Sequence, residues 1–162
     1  MIKIALGYKE VDGPWGGGNR FIRSLKDKLI ENNFVCRSNL KDRDIDIILL
    51  TDPRFRSPFV NFSIAEIIFY KVFVNPRVII VHRVNECDER KNTNFMNSLL
   101  INANWCADYT VFVGTWLSDL NCWKTNIRTP YKTILNGADK KVFNRIGYKK
   151  WNGAEPLKLV TH

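Results

Sequence analysis

Short apolar runs alternate along this chain with longer stretches whose apolar residues recur at helical spacing. The short runs are dominated by Val, Ile and Leu, and most are bounded by polar or turn-forming residues. Continuous apolar runs of this kind are typical of parallel strands that are covered on both faces. They predict strands at Ile2–Leu6, Phe34–Cys36, Asp44–Leu50, Arg77–His82, Tyr109–Gly114 and Tyr131–Leu135.

Helices are predicted between these strands, at Asn19–Asn32, Ser63–Phe73, Thr93–Ala103 and Thr115–Asn121. In the first helix the apolar residues fall on one face and basic residues on the other. Ser63 and Glu66 have the spacing of a capping box. Regular alternation of strands and helices predicts a Rossmann-like, three-layer α/β/α fold with a mostly parallel sheet.

The pattern changes near the end of the chain. Residues 145–156 are polar and aperiodic, and a new apolar run begins after them. A strand that opens there needs further chain to pair with. We therefore expect residues 1–144 to form one Rossmann-like domain, 145–156 to be an interdomain linker, and 157–162 to begin a second domain.

The chain has 162 residues, a formal net charge of +9 and four cysteines. No apolar run approaches the roughly 20 residues that span a bilayer, and the first residues do not resemble a signal peptide, so a cytoplasmic location is expected. The basic residues are scattered rather than interleaved with aromatic residues, which favours phosphate-bearing ligands or lipid headgroups over nucleic acid. The cysteines lack metal-site spacing and are expected to be reduced.

A glycine-rich turn, "GPWGGGNRF" (Gly13–Phe21), follows the first strand. Its spacing fits neither the dinucleotide fingerprint nor the Walker A loop, because Phe21 replaces the third glycine and Asn19–Arg20 replaces Lys–Ser/Thr. Bare backbone N–H groups at a helix start can still bind an anion or sugar hydroxyls. A tight turn for helix packing is the alternative. The candidate binding residues are Gly16, Gly17, Gly18 and Asn19, with Trp15 expected to be exposed.

The loop after the fourth strand, "HRVNECDERKN", is strongly polar, and His82 is expected at the very end of that strand. In an open parallel sheet, ligands bind beyond the carboxyl ends of the strands. This makes His82 a candidate ligand contact, although a structural histidine remains open. Glu86 and Asp88 could form an acid/base pair, and Cys87 could be a nucleophile activated by His82. The sequence shows no third group that would fix the geometry of either arrangement. Asn136–Gly137, after the last strand, predicts a turn with positive φ.

Taken in order, these features resemble one enzyme family. The matching residues are Gly16–Gly18, His82, "TWL" at Thr115–Leu117, and "NGAD" at Asn136–Asp139 followed by Phe143. This set resembles the N-terminal half of GT-B glycosyltransferases, most closely the retaining group called glycosyltransferase family 4. The resemblance covers nearly the whole chain.

The resemblance implies an acceptor-side domain that works with a second domain binding the nucleotide sugar. His82 would be the catalytic contact to the transferred sugar, and Gly16–Gly18 would offer backbone N–H groups. We extend the candidate binding set to Asn19, Asn85, Glu86, Arg90, Lys91, Asn136 and Gly137. The expected partners are a nucleotide sugar, a sugar or lipid-linked acceptor and the second domain, with no cofactor, metal or nucleic acid.

The chain by itself is expected to be inactive, because the family's Glu-x7-Glu motif belongs to the second domain. A non-enzymatic Rossmann-like module that binds a phosphorylated or sugar ligand remains an alternative. Peripheral docking on an anionic membrane through the basic face of the first helix is a further one.

Overall fold

The computed structural model describes residues 1–13, 16–55, 57–138 and 144–154. Within them six strands form one parallel sheet in the order β2-β1-β3-β4-β5-β6. The strands are β1 (Lys3–Leu6), β2 (Val35–Arg37), β3 (Ile47–Leu50), β4 (Ile79–Val84), β5 (Tyr109–Phe112) and β6 (Tyr131–Thr133). The predicted strand–helix alternation and Rossmann-like α/β/α fold are thereby confirmed.

Seven helical segments connect the described strands. They are α1 (Gly17–Glu31), α2 (Ile64–Phe69), α3 (Asp88–Lys91), α4 (Met96–Asn104), α5 (Thr115–Ser118), α6 (Asn121–Asn126) and a π-helical turn (Tyr70–Val74) that continues α2. The capping box predicted for α2 is confirmed, since Ser63 and Glu66 each bond to the other's backbone N–H.

The helices cover the two faces of the sheet unequally. On one face, α1 packs Ile22 against Ile4 and Leu6. On the opposite face, α2, α4 and α6 cover the remaining apolar side chains in two adjoining clusters, which include Ile67 and Trp123. Because successive strand residues point to opposite faces, neighbouring positions in one strand meet different helices. This alternation decides which side chains reach the candidate site.

Three expectations about local structure are wrong. The fourth strand extends to Val84, so His82 lies inside β4 rather than at its end. The polar loop after it contains the short helix α3, which is capped by the Cys87 thiol accepting from the Arg90 N–H. Neither Asn136 nor Gly137 has a positive φ. The first arises because the last residues of β4, Arg83 and Val84, pair with β5.

All four cysteines are free thiols, and Cys87 is fully buried. Residues 144–154 contain no helix or strand and are exposed. The expected strand at 157–162 lies outside the described residues, as do Trp15, Asp139 and Phe143. The proposed domain boundaries therefore stay predictions.

Candidate functional site

A cleft of about 330 Å³ opens at the carboxyl ends of β1, β3 and β4. It lies at the switch point of the sheet, where β1 continues toward β2 on one side and β3 begins the other half. Ligands of open α/β sheets bind at this place. The described residues that line it are Tyr8, Gly18, Phe21, Thr51, Asp52, Pro53, Arg54, Arg83, Asn85, Glu86, Lys91, Thr93, Phe95, Met96 and Leu100.

The glycine turn forms one wall of the cleft through Gly18. A side chain at Gly18 would meet the Tyr8 ring at 3.1 Å. At Gly16 and Gly17 a Cβ atom would meet no described atom within 4 Å. The packing of α1 against the sheet thus accounts for the third glycine, while no described part of the chain excludes a side chain at the first two.

Asn19 stabilises the turn instead of facing the cleft. Its side chain is 3 % exposed, accepts a hydrogen bond from the Val11 N–H at 2.9 Å and donates one to the Val11 carbonyl at 2.6 Å. This pair of bonds satisfies the main chain of a segment that has no strand partner there. The geometry gives the Asn19 amide a structural role in the turn.

We expect Asn19→Ala to lower the free energy of unfolding by about 1–2 kcal/mol, because the partly buried backbone N–H and carbonyl of Val11 lose their partner. Urea unfolding followed by circular dichroism measures this. Asn32→Ala, at the exposed end of the same helix, is the control and should cost only a few tenths of that. Equal losses in the two variants would contradict the structural role.

The loop after β4 and the start of α3 form the opposite wall through Asn85, Glu86 and Lys91. Glu86 Oε2 is buried and has no hydrogen-bond partner in the described chain; Lys91 Nζ is 3.6 Å away, and Arg90 Nη1 is 3.7 Å from Oε1. Arg90 also donates to the Asn85 carbonyl at 3.2 Å and does not line the cleft. Glu86 Oε2 is therefore an acceptor that lacks a hydrogen-bond donor among the described residues, although a cation lies near each of the two carboxylate oxygens.

The floor of the cleft contains Arg83, which is only 6 % exposed. Its guanidinium lies 3.7 Å from the centre of the Phe21 ring and donates from Nη2 to Asn136 Oδ1 at 2.8 Å. Burial lowers the pKa of Arg83 to about 10, so the side chain is charged at neutral pH. Asn136, a predicted binding residue, thus supports Arg83 and is not itself among the lining residues.

His82 lies beneath this floor, on the other face of β4. Its ring is fully buried, and Asn104 Nδ2 donates to His82 Nδ1 at 3.1 Å and to Thr110 Oγ1 at 2.8 Å. Burial lowers the pKa of His82 to about 3, so the ring is neutral at physiological pH. His82 does not line the cleft, and its expected position at an accessible strand end is corrected.

A second hollow of about 400 Å³ lies beside the end of β2. Three of the four charged residues that line it are already paired, while Lys9 is the fourth. Glu10 accepts from Arg23 at 2.8 Å and from Lys26 at 3.0 Å, and Arg37 donates to Asp42 at 2.9 Å. The same pairs neutralise part of the basic face of α1. This hollow therefore offers a charged ligand less than the first cleft does.

The fold thus brings Gly18, Asn85, Glu86 and Lys91 together in one cleft. The predicted residues outside its lining are Gly16, Gly17, Asn19, His82, Arg90, Asn136 and Gly137. Sequence reasoning missed Thr51 and Arg83. The available signal for Arg83 was a charged residue between His82 and Val84, at the end of an apolar strand, in "VHRVN".

The chain matches no protein-family model, and no curated protein or solved structure is significantly similar to it. Among the described helices, none has both the length and the apolar character needed to cross a membrane. Across the same residues, no group of three or more His, Cys, Asp or Glu side chains is placed to hold a metal ion.

Proposed function

We propose that this chain is the acceptor-side domain of a glycosyltransferase that uses a nucleotide sugar, with the acceptor bound in the cleft above β1, β3 and β4. The observation that carries the proposal is the meeting of two segments far apart in sequence. Gly18 from the glycine turn and Asn85, Glu86 and Lys91 from the loop after β4 line one cleft. The glycine turn is one of the four segments that carry the resemblance to GT-B enzymes, and the other wall follows His82, which belongs to another.

The chemistry of the cleft supports a polyhydroxylated ligand. Among the described residues, Glu86 Oε2 and Thr51 Oγ1 are buried without a hydrogen-bond partner, and Glu86 also lies within 3.6–3.7 Å of the cations Lys91 and Arg90. Both oxygens would gain hydrogen bonds from sugar hydroxyls. Phe21 of α1 and Phe95, at the start of α4, add apolar side chains to the lining. A volume of about 330 Å³ is at the lower end of the range for small-molecule sites.

Transfer would take place between this domain and a second one that binds the nucleotide sugar. In this proposal the wall at Gly16 and Gly17, which meets no described side chain, faces that second domain and the transferred sugar. The isolated chain would bind acceptor and fail to transfer sugar. A cytoplasmic location, with access to a lipid-linked acceptor at the membrane surface, belongs to the same proposal.

A titration of the ¹⁵N-labelled 162-residue chain tests the proposal. The ligands are neutral mono- and disaccharides, sugar monophosphates, UDP-glucose and GDP-mannose. We expect an acceptor-type saccharide or sugar phosphate to shift the amide signals of Gly18, Asn85 and Glu86 together, with Ser38 of the second hollow as an unshifted reference.

The proposal would fail if none of these ligands shifted the three signals together, or if the shifts centred on Ser38. A transfer assay with radiolabelled UDP-glucose and GDP-mannose provides an independent check. Sugar transfer by the isolated chain would contradict the assigned division of labour between two domains.

A further inference from the structure

The charges in the cleft do not balance. Among the described lining residues the cations are Arg54, Arg83 and Lys91, and the acids are Asp52 and Glu86. Arg54 forms a bidentate ion pair with Asp52, with Nη2–Oδ2 at 2.6 Å and Nε–Oδ1 at 2.9 Å. Lys91 stands 3.6 Å from Glu86. Arg83 is therefore the cation of the described lining that has no acidic partner there.

Arg83 is also the most deeply buried of these cations. Its recorded partners are the neutral Asn136 amide and the Phe21 ring, and no carboxylate of the described chain pairs with it. A buried charge without a counter-ion is costly. Its placement on the floor of an open cleft means that an anionic ligand could supply the missing charge.

Thr51 stands next to Arg83. Leu50 pairs with His82 across β3 and β4, and Thr51 and Arg83 are the residues that directly follow this pair. Both line the cleft, and Thr51 Oγ1 is buried with no partner in the described residues. A guanidinium and a free hydroxyl at adjacent positions are suited to binding the oxygens of a phosphate group.

We infer that the ligand of this cleft is a phosphorylated sugar or polyol, whose phosphate is bound by Arg83 and Thr51 and whose hydroxyl group is bound by Glu86. This inference rests on the proposed function and names the class of its acceptor. The two ends of the cleft would bind different parts of the ligand. The Glu86 carboxylate would repel the phosphate but would accept a hydrogen bond from a hydroxyl group. The phosphate can belong to a free sugar phosphate or to a lipid-linked headgroup.

The test compares ligands on the full chain by the same ¹⁵N titration. Glucose 6-phosphate is the free phosphate ester, phosphatidylinositol vesicles supply a lipid-borne one, and glucose is the neutral control. Phosphatidylcholine vesicles and UDP-glucose complete the set. We expect glucose 6-phosphate or phosphatidylinositol to bind at least about tenfold more tightly than glucose or phosphatidylcholine.

Arg83→Met should abolish this preference, and Arg77→Met is its matched control. Arg77 precedes β4, at the end of the sheet opposite the cleft. The Arg77→Met substitution therefore removes the same net charge far from the cleft and should leave the preference for phosphorylated ligands unchanged. Arg83→Met removes an unpaired buried charge and is expected to fold. Thr51→Val is the second variant and should weaken phosphate binding severalfold.

Each outcome decides the inference. An Arg83-dependent preference for glucose 6-phosphate supports the inference and indicates a free sugar phosphate as acceptor. An Arg83-dependent preference for phosphatidylinositol alone supports the inference and indicates a lipid-borne acceptor. Equal binding of glucose and glucose 6-phosphate in the cleft overturns it while the proposed acceptor function stands. The inference is overturned if Arg77→Met reduces the preference for phosphorylated ligands as much as Arg83→Met does. It is also overturned if UDP-glucose is the only ligand whose binding depends on Arg83.

Discussion

Lowering the pH from 7.5 to 5 will reduce the free energy of unfolding by about 2 kcal/mol through His82 alone. The pKa of His82 is about 3 in the folded chain against an ordinary value of 6.5. Between these values the unfolded chain binds a proton that the folded chain does not, so stability falls as the pH falls. The effect is absent well above pH 6.5 and reaches its limit below pH 3.

The cause is the polar network around the ring. Asn104 donates to His82 Nδ1 and to Thr110, and Thr110 shares a hydrogen bond of 2.6 Å with Thr129. A proton on Nδ1 would face the amide donor and remove this bond. It would also place a charge in a site that is fully buried and lies 6.4 Å from the Trp123 ring.

Urea unfolding at pH 7.5, 6 and 5 measures how the free energy of unfolding changes with pH. His82→Gln should remove most of it, and His162→Gln, which alters the only other histidine of the chain, should leave it unchanged. A slope that survives in His82→Gln would contradict the assignment. If that variant does not fold, the ¹³Cε1 shift of His82 should still show a neutral ring at pH 5.

A single methyl group at Gly7 will destabilise the chain by about 3 kcal/mol, at the upper end of the range for overpacking. A Cβ atom there would lie 2.6 Å from the Leu49 carbonyl oxygen. That oxygen also accepts from the Gly7 N–H at 2.8 Å, and the Gly7 carbonyl accepts from the Asn61 N–H at 3.0 Å. Because backbone atoms surround the position, the clash is relieved only by separating β1 from β3.

Gly17→Ala is the matched control for Gly7→Ala. A Cβ atom at Gly17 meets nothing within 4 Å, and the residue lies in the first turn of α1. Alanine there should leave stability unchanged or raise it by about 0.5–1 kcal/mol, because glycine loses more conformational freedom on folding. Chemical denaturation of both variants measures the difference. Equal stabilities would show that the β1–β3 junction tolerates a side chain.

The sequence was sufficient for the architecture because the architecture depends on patterns within single segments. Each of the six strands predicted between residues 2 and 135 has a counterpart in the sheet, and the Ser63–Glu66 capping box forms as its spacing indicates. The ends of strands were less accurate, since they depend on pairing with a neighbour. β4 extends past His82 because its last residues pair with β5.

The candidate site was only partly predictable for a related reason. Which loops meet could be inferred from the parallel sheet, and Gly18, Asn85, Glu86 and Lys91 do line one cleft. Which of two consecutive strand residues faces that cleft could not be inferred. His82 and Arg83 point to opposite faces, and only the placement of α1 and α4 shows that Arg83 reaches the ligand side while His82 packs inside.

The strand order has a consequence for synthesis of the chain. After β3, each new strand is added beside the one made just before it, so this side of the sheet can grow outward in the order of translation. The first wall of the cleft, with Gly18 and Asp52, comes from the part that the ribosome releases first. The cleft is completed only when β4 and α4 have emerged. A nascent chain that stops before then carries a formed β1–β3 core with an open edge at β3, to which either β4 or a foreign strand can add.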